Sequence, residues 1–292
     1  MTEGVLSDWA EYFEQAWAIR GKELDAILDG EGDLSRVLAA LDRFNETHQL
    51  VVNGTEASFG NVTADPDPVD KVTDRAGRFC AGTVVEASPF HGIDRRRLLA
   101  DFAQGRDCVL DIGGGYGRAL FDCWLGGGPR DARYVNAEPT ASGRGMALKL
   151  APLARGMAFS CVDWRMEDPD FSCLGDSSNI LVVSSLSIYC TWRFPLAFFR
   201  RLAALDATVD CLFIEPLGHQ LGGDDPFTQA QVANAVDKRL NTSFWDVLTE
   251  ASRDGLVEAL AIARDFDGRV DEPNAQVSLF ALRILRDRHH QA

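Results

Sequence analysis

The sequence has no CxxC pair, no Gly-Lys-Ser/Thr after its glycine cluster, and no uninterrupted apolar run near the roughly 18 residues of a membrane span. These absences remove the common zinc spacing, the nucleoside-triphosphate phosphate loop and a transmembrane helix in turn. Basic residues are also short: 29 Lys and Arg stand against 44 Asp and Glu, a formal charge of −15. An acidic surface repels phosphate backbones and anionic lipid, so the expected partner is a small molecule rather than nucleic acid or membrane. The seven cysteines (Cys80, Cys108, Cys123, Cys161, Cys173, Cys190, Cys211) are odd in number and mostly set in apolar runs, as small hydrophobes in a reducing compartment are. The opening MTEGVLSDWAEYFEQ has no basic region followed by an apolar stretch, and a cytoplasmic chain is expected.

What is present is ordinary globular composition, 46% hydrophobic and 25% charged, which excludes a disordered chain. Two regions differ in pattern. Residues 1–105 read as a mainly helical, loop-rich region: Trp9, Phe13 and Trp17 share one helical face, as do Leu34, Val37, Leu38, Leu41 and Phe44 behind an Asp33 cap. NGTEASFGNVTADPDPVDK (53–71) is rich in turn formers and reads as a loop. Residues 106–292 alternate apolar strands, at about 108–113, 132–138, 157–162, 179–187, 211–216, 256–266 and 276–285, with helical patterns. Helices are predicted at about 94–104, 117–125, 140–151, 192–205, 226–239 and 242–253. Such alternation writes an α/β fold with a mostly parallel sheet covered on both faces. DGRVDEPNA is too short for a crossover, so the last two strands must be antiparallel. The run Arg95, Arg96, Arg97 reads as a solvated helix face and is given no function.

In VLDIGGGYGRALFDCW a strand runs into Asp111, glycines follow at 113, 114, 115 and 117, and a helical pattern begins at once. A strand-to-helix turn at the carboxyl edge of a parallel sheet is where these folds bind ligands, and residues without Cβ let a ligand approach the backbone. A Cβ at Gly113 or Gly115 is therefore expected to intrude on the ligand. The dinucleotide fingerprint needs glycine at 118, where Arg118 stands, which disfavours a nicotinamide oxidoreductase.

Asp111-x-Gly113-x-Gly115-x-Gly117 instead resembles the first motif of class I S-adenosylmethionine-dependent methyltransferases. The resemblance runs from about Cys108 to the C-terminus, with a shorter likeness of DIGGGYGR to bacterial sugar and natural-product O-methyltransferases. It implies a Rossmann-like, seven-stranded, mostly parallel sheet with an antiparallel last strand, to which the helical N-terminal region is appended as a substrate lid or a homodimer contact. It implies S-adenosyl-L-methionine as cofactor, with S-adenosyl-L-homocysteine as product; no metal-ligand spacing is evident in the sequence. The loop, Asp111, Gly113, Gly114, Gly115, Tyr116 and Gly117, then holds the methionyl part, Glu138 at the end of YVNAE the ribose hydroxyls, and Asp163 the adenine amino group. Trp164 is expected against the adenine, and Ser184 in VVSSLSIYC beside the cofactor, where relatives carry an acidic or Asn-Pro-Pro-Tyr motif that this sequence lacks.

Methyl transfer from a sulfonium mainly asks the protein to place the acceptor and remove a proton. His219, after the fifth strand in FIEPLGHQLGG, is the expected base, with Glu215 orienting it or lining the cleft, and His91 in SPFHGID is the second candidate. O-methylation of a small metabolite, a sugar or secondary metabolite, is the expected activity. A protein that binds the cofactor without transferring a methyl is the alternative.

Overall fold

The computed structural model describes residues 9–53, 56–61, 94–223, 226–269 and 272–286. Its first elements are helices α1 (Trp9–Leu28) and α2 (Leu34–Thr47), then strands β1 (His48–Asn53) and β2 (Glu56–Asn61) and helix α3 (Arg95–Ala103). β1 and β2 pair antiparallel, so a hairpin occupies part of the stretch read as loop. Asp33 accepts from the Arg36 backbone N–H at 3.0 Å and so caps α2, and Asp94 caps α3 through the Arg96 N–H at 2.8 Å.

The remainder runs β3 (Cys108–Ile112), α4 (Arg118–Leu125), β4 (Arg133–Ala137), α5 (Ala141–Leu150), β5 (Ala158–Val162), β6 (Asn179–Ser185), α6 (Leu196–Ala203), β7 (Thr208–Glu215), α7 (Pro226–Asp237), α8 (Phe244–Arg253), β8 (Val257–Arg269) and β9 (Glu272–Ile284). These seven strands form one sheet of order β5-β4-β3-β6-β7-β9-β8. β3 to β7 pair in parallel, and β9 runs against both of its neighbours, so β8 points the same way as the other five. The expected antiparallel closing pair is present.

Period-two burial divides the sheet between two cores. Cys108, Leu110 and Ile112 of β3 face Phe198, Phe199, Phe244 and Leu248 of α6 and α8. Val109 lies on the opposite face with Leu120 and Phe121 of α4, Leu99 of α3 and Met146 of α5, and that core continues into Leu24, Leu34, Val37, Leu38 and Leu41. Helices α1 and α2 thus complete one helical layer over the sheet instead of standing apart from it.

A buried carboxylate ties this layer together. Asp122 of α4 accepts from Arg96 Nε at 2.9 Å and Arg118 Nε at 2.7 Å, and Arg118 also reaches Asp42 of α2. Arg118, met in the sequence only as the residue that breaks a dinucleotide fingerprint, is an anchor among helices. Asp122→Ala is expected to cost about 3 kcal/mol in chemical denaturation, because two half-buried guanidiniums lose their shared partner.

Candidate functional site

The strand order reverses at β3, with β4 on one side and β6 on the other, and the carboxyl ends of these strands open the crevice where such sheets take ligands. The glycine turn fills this place. Gly113, Gly115 and Gly117 have φ of 63°, 54° and 78°, a region that costs side-chain-bearing residues strain, and the Gly113 N–H donates to the Ala137 carbonyl at 2.7 Å. The protein itself crowds the turn. A Cβ on Gly113 would stand 2.5 Å from Ser187 Cβ, one on Gly114 would strike the Asp111 and Asn136 side chains, and one on Gly115 would stand 2.7 Å from the Trp17 ring. Valine at 113 or 115 would therefore disturb the fold as well as a ligand, a correction to the expectation of intrusion on the ligand alone. Tyr116 is buried and turned into the helical layer, its ring edge-on to Trp17 at 5.4 Å, so it packs under α1 and not over the turn.

Asp111, at the end of β3, is 1% exposed, and its Oδ1 has no hydrogen-bond partner among the described residues. Burial raises its carboxyl to a pKa of about 8, with the Arg95 guanidinium pulling the other way. Arg95 of α3 donates through Nη2 to Ser185 Oγ, while its buried Nε has no partner among the described residues. A carboxyl oxygen and a guanidinium nitrogen, both without partners among the described residues, thus lie within electrostatic reach of each other beside the turn. The arginine run was expected to be solvated throughout, but only Arg97 matches that reading: its side chain is 80% exposed, whereas Arg96 is held by Asp122 and Arg95 turns inward.

Glu138 follows β4 and is 3% exposed. Its Oε2 accepts from the Gly115 N–H at 2.8 Å, and Oε1 accepts from the Thr140 N–H at 2.9 Å and from the Thr140 hydroxyl, so the carboxylate faces the glycine turn. Desolvation raises its pKa, against the pull of these hydrogen bonds. Arg144 clasps the Glu138 carbonyl at 2.6 Å and reaches Asp163 Oδ2 at 3.3 Å. Asp163 is exposed and linked to the Glu138 backbone by that one side chain, so both acids lie on the same rim. Trp164 does not join them. It is 5% exposed, donates to the Asp170 carbonyl at 2.8 Å and packs near Phe171 in the core, as large apolar side chains do.

At the end of β6, Ser184 is fully buried and donates to Glu215 at 2.5 Å, beneath the rim rather than on it. Glu215 neither orients His219 nor lines an open cleft. Its carboxylate accepts from the backbone N–H groups of Ser187, Ile188 and Tyr189 at 3.0, 3.1 and 3.2 Å, and so shapes the loop after β6. That loop holds Leu186 at φ 59°, strained for a leucine and 43% exposed. His219 lies behind it, its ring nitrogens near the carbonyls of Pro216 and Asn241 without a well-formed hydrogen bond to either, and burial lowers its pKa. His91, Asp224 and Asp225 lie outside the described residues. No group of His, Cys, Asp and Glu side chains suited to a metal occurs among the described residues.

Sheet order, reversed last strand and glycine turn together decide the architecture. The fold is a Rossmann-like α/β fold, a seven-stranded sheet with one antiparallel strand. Solved structures similar to the chain include P. horikoshii TYW2 in complex with MeSAdo, at 14% identity and TM-score 0.41 over 83% of this chain and 73% of that one. A geranyl diphosphate C-methyltransferase from Streptomyces coelicolor A3(2), bound to Mg2+, geranyl diphosphate and S-adenosyl-L-homocysteine, is 13% identical with TM-score 0.46 over 65% of this chain and 79% of that one. A putative O-methyltransferase from Klebsiella pneumoniae is 12% identical with TM-score 0.42, over 68% and 84%. The likeness is one of fold, and what each of those proteins binds is a property of that protein. No family model matches the chain, and neither does any curated protein.

Proposed function

We propose that the chain is an S-adenosylmethionine-dependent methyltransferase acting on a small-molecule acceptor. The observation that carries this reading is the pair of unsatisfied buried groups, Asp111 Oδ1 and Arg95 Nε, beside a turn of three positive-φ glycines. An amino acid ligand brings the ammonium and carboxylate that such a pair lacks. Glu138 on the neighbouring strand suits vicinal hydroxyls, and Asp163 on the rim suits an exocyclic amine. Amino acid, sugar and base are the three parts of the cofactor. When bound, its sulfonium supplies an electrophilic methyl and a neutral thioether leaving group. Calorimetry with S-adenosylhomocysteine against NADH tests the reading: binding of the thioether alone supports it, and binding of NADH alone overturns it.

For the chemistry, this chain's residues place the acceptor and take its proton. The loop shaped by Glu215 presents Leu186 at the crevice edge, and the acceptor is read as a small metabolite, a sugar or secondary metabolite, bearing a hydroxyl. His219 is the base in this reading. It follows β7 at the carboxyl edge of the sheet, and its burial favours the neutral, proton-accepting form at neutral pH. His219→Ala is expected to lower turnover about a hundredfold while thioether affinity changes less than twofold. Unchanged turnover would remove His219 from the mechanism and leave His91 as the candidate. Burial of Ser184 and commitment of Glu215 to backbone N–H groups favour a second reading, in which the chain binds the cofactor without transferring a methyl. Thioether binding with no methylated product from a broad panel of hydroxyl acceptors would select it.

A further inference from the structure

We propose that α1 is a latch that shuts the glycine-turn site through Trp17, and that the ligand binds only when this helix shifts; the proposal rests on the adenosyl reading above. Trp17 lies across the surfaces the sugar would touch. Its ring carbons stand 2.7 Å from the Cβ position of Gly115 and 3.1 Å from that of Gly143 in α5, and Glu138 Cγ is also 3.1 Å from the latter. The indole therefore bridges the turn and α5 directly beside the acid assigned to the ribose. Trp17 thus closes the site on the Glu138 side, where that acid is 3% exposed, and Asp111 deeper in the turn is 1% exposed.

Ala16 and Leu24 anchor α1 in the core, while Trp17 itself is held by contacts that can be exchanged. Phe13 stacks one turn before Trp17 at 6.0 Å, Tyr116 meets the ring edge-on, and the Arg20 guanidinium lies 4.9 Å from its centroid. Glu14, on the same helix, accepts from the Ser142 N–H at 3.0 Å and from the Ser142 hydroxyl in the first turn of α5, where a carboxylate is favoured by the helix dipole. The Asp25–Lys149 pair further along joins two half-exposed side chains and adds little. A latch built this way biases a two-state equilibrium, and the apparent affinity of a ligand falls by the fraction of molecules that are open.

Titration calorimetry with S-adenosylhomocysteine on the full chain reads this bias. Trp17→Ala is expected to bind about tenfold tighter than wild type, because the closed state loses its main contact. Glu14→Ala, outside the turn, is expected to shift affinity in the same direction by about threefold, and Trp17→Phe to fall between wild type and Trp17→Ala. Thermal melts confirm that each variant is folded, and the phenylalanine variant preserves an aromatic contact should alanine loosen α1. Binding of wild type that is equal to or tighter than that of all three variants overturns the latch and leaves the adenosyl reading standing. Silence of wild type and all variants overturns that reading and the latch with it.

Discussion

Asp111→Asn is expected to weaken S-adenosylhomocysteine binding about a thousandfold at pH 8, since removing one charge of a buried pair costs roughly 4 kcal/mol. The loss should shrink toward pH 6. In the free protein Asp111 titrates near pH 8, so at lower pH it carries a proton and cannot receive an ammonium without first giving it up. Each pH unit below 8 then costs wild type about tenfold in affinity, whereas the asparagine variant has no such dependence. Stability moves in the opposite sense. The folded-state pKa lies above the unfolded value of 3.8, so below that value both states hold the proton and Asp111 contributes no pH dependence. As pH rises from there to about 8 the unfolded chain ionises while the folded one keeps its proton, and wild-type stability falls. Above 8 the penalty is constant. The variant lacks this slope and should be the more stable protein in chemical denaturation at neutral and alkaline pH. Equal binding of the thioether by both proteins at pH 8 would mean that Asp111 faces no cation.

Much of the sheet was legible because each strand is a short apolar run bounded by turn residues, and because short connections forbid crossovers. β8 and β9 could be paired antiparallel from nine residues of linker alone. Helix caps were legible for the same local reason: Asp33 and Asp94 act on N–H groups two or three residues away. The site was legible only where its chemistry is local to the turn. Arg95 was invisible because adjacent arginines look alike until α3 is docked on the sheet, after which one faces solvent, one meets Asp122 and one turns toward Asp111 and Ser185. Trp17 reads as core on any helical wheel; that it lies on the glycine turn depends on how α1 crosses α5. Trp164, by contrast, was drawn to the cofactor by its position after a strand, and packing against Phe171 claimed it instead. The hairpin at 48–61 was hidden because turn-forming residues dominate the sequence from Asn53 onward.

Glu215 shows how a residue placed at a site by topology can serve it without touching substrate. It ends β7 beside the crevice, where an acid is readily taken for a base or an orienting partner. Yet it is fully buried and accepts from one hydroxyl and three consecutive backbone N–H groups, which is how a carboxylate shapes a turn. Desolvation raises its pKa while those donors pull it down. Glu215→Ala would strand three N–H groups, that of Ile188 buried and those of Ser187 and Tyr189 part-buried, each costing about 1 to 3 kcal/mol, so a destabilisation of roughly 4 kcal/mol is expected after partial relaxation. Because Ser187 also packs on Gly113 and donates to the Ile112 carbonyl at 2.7 Å, the loop and the glycine turn move together, and thioether binding should be lost even where the variant remains folded. Glu215→Gln separates the two effects. It keeps one acceptor oxygen for the Ser187 and Ile188 N–H groups, so it should recover more than half of the stability, and binding should recover in proportion if the carboxylate acts only through the loop. Stability restored without binding would show instead that the charge itself is needed at the crevice.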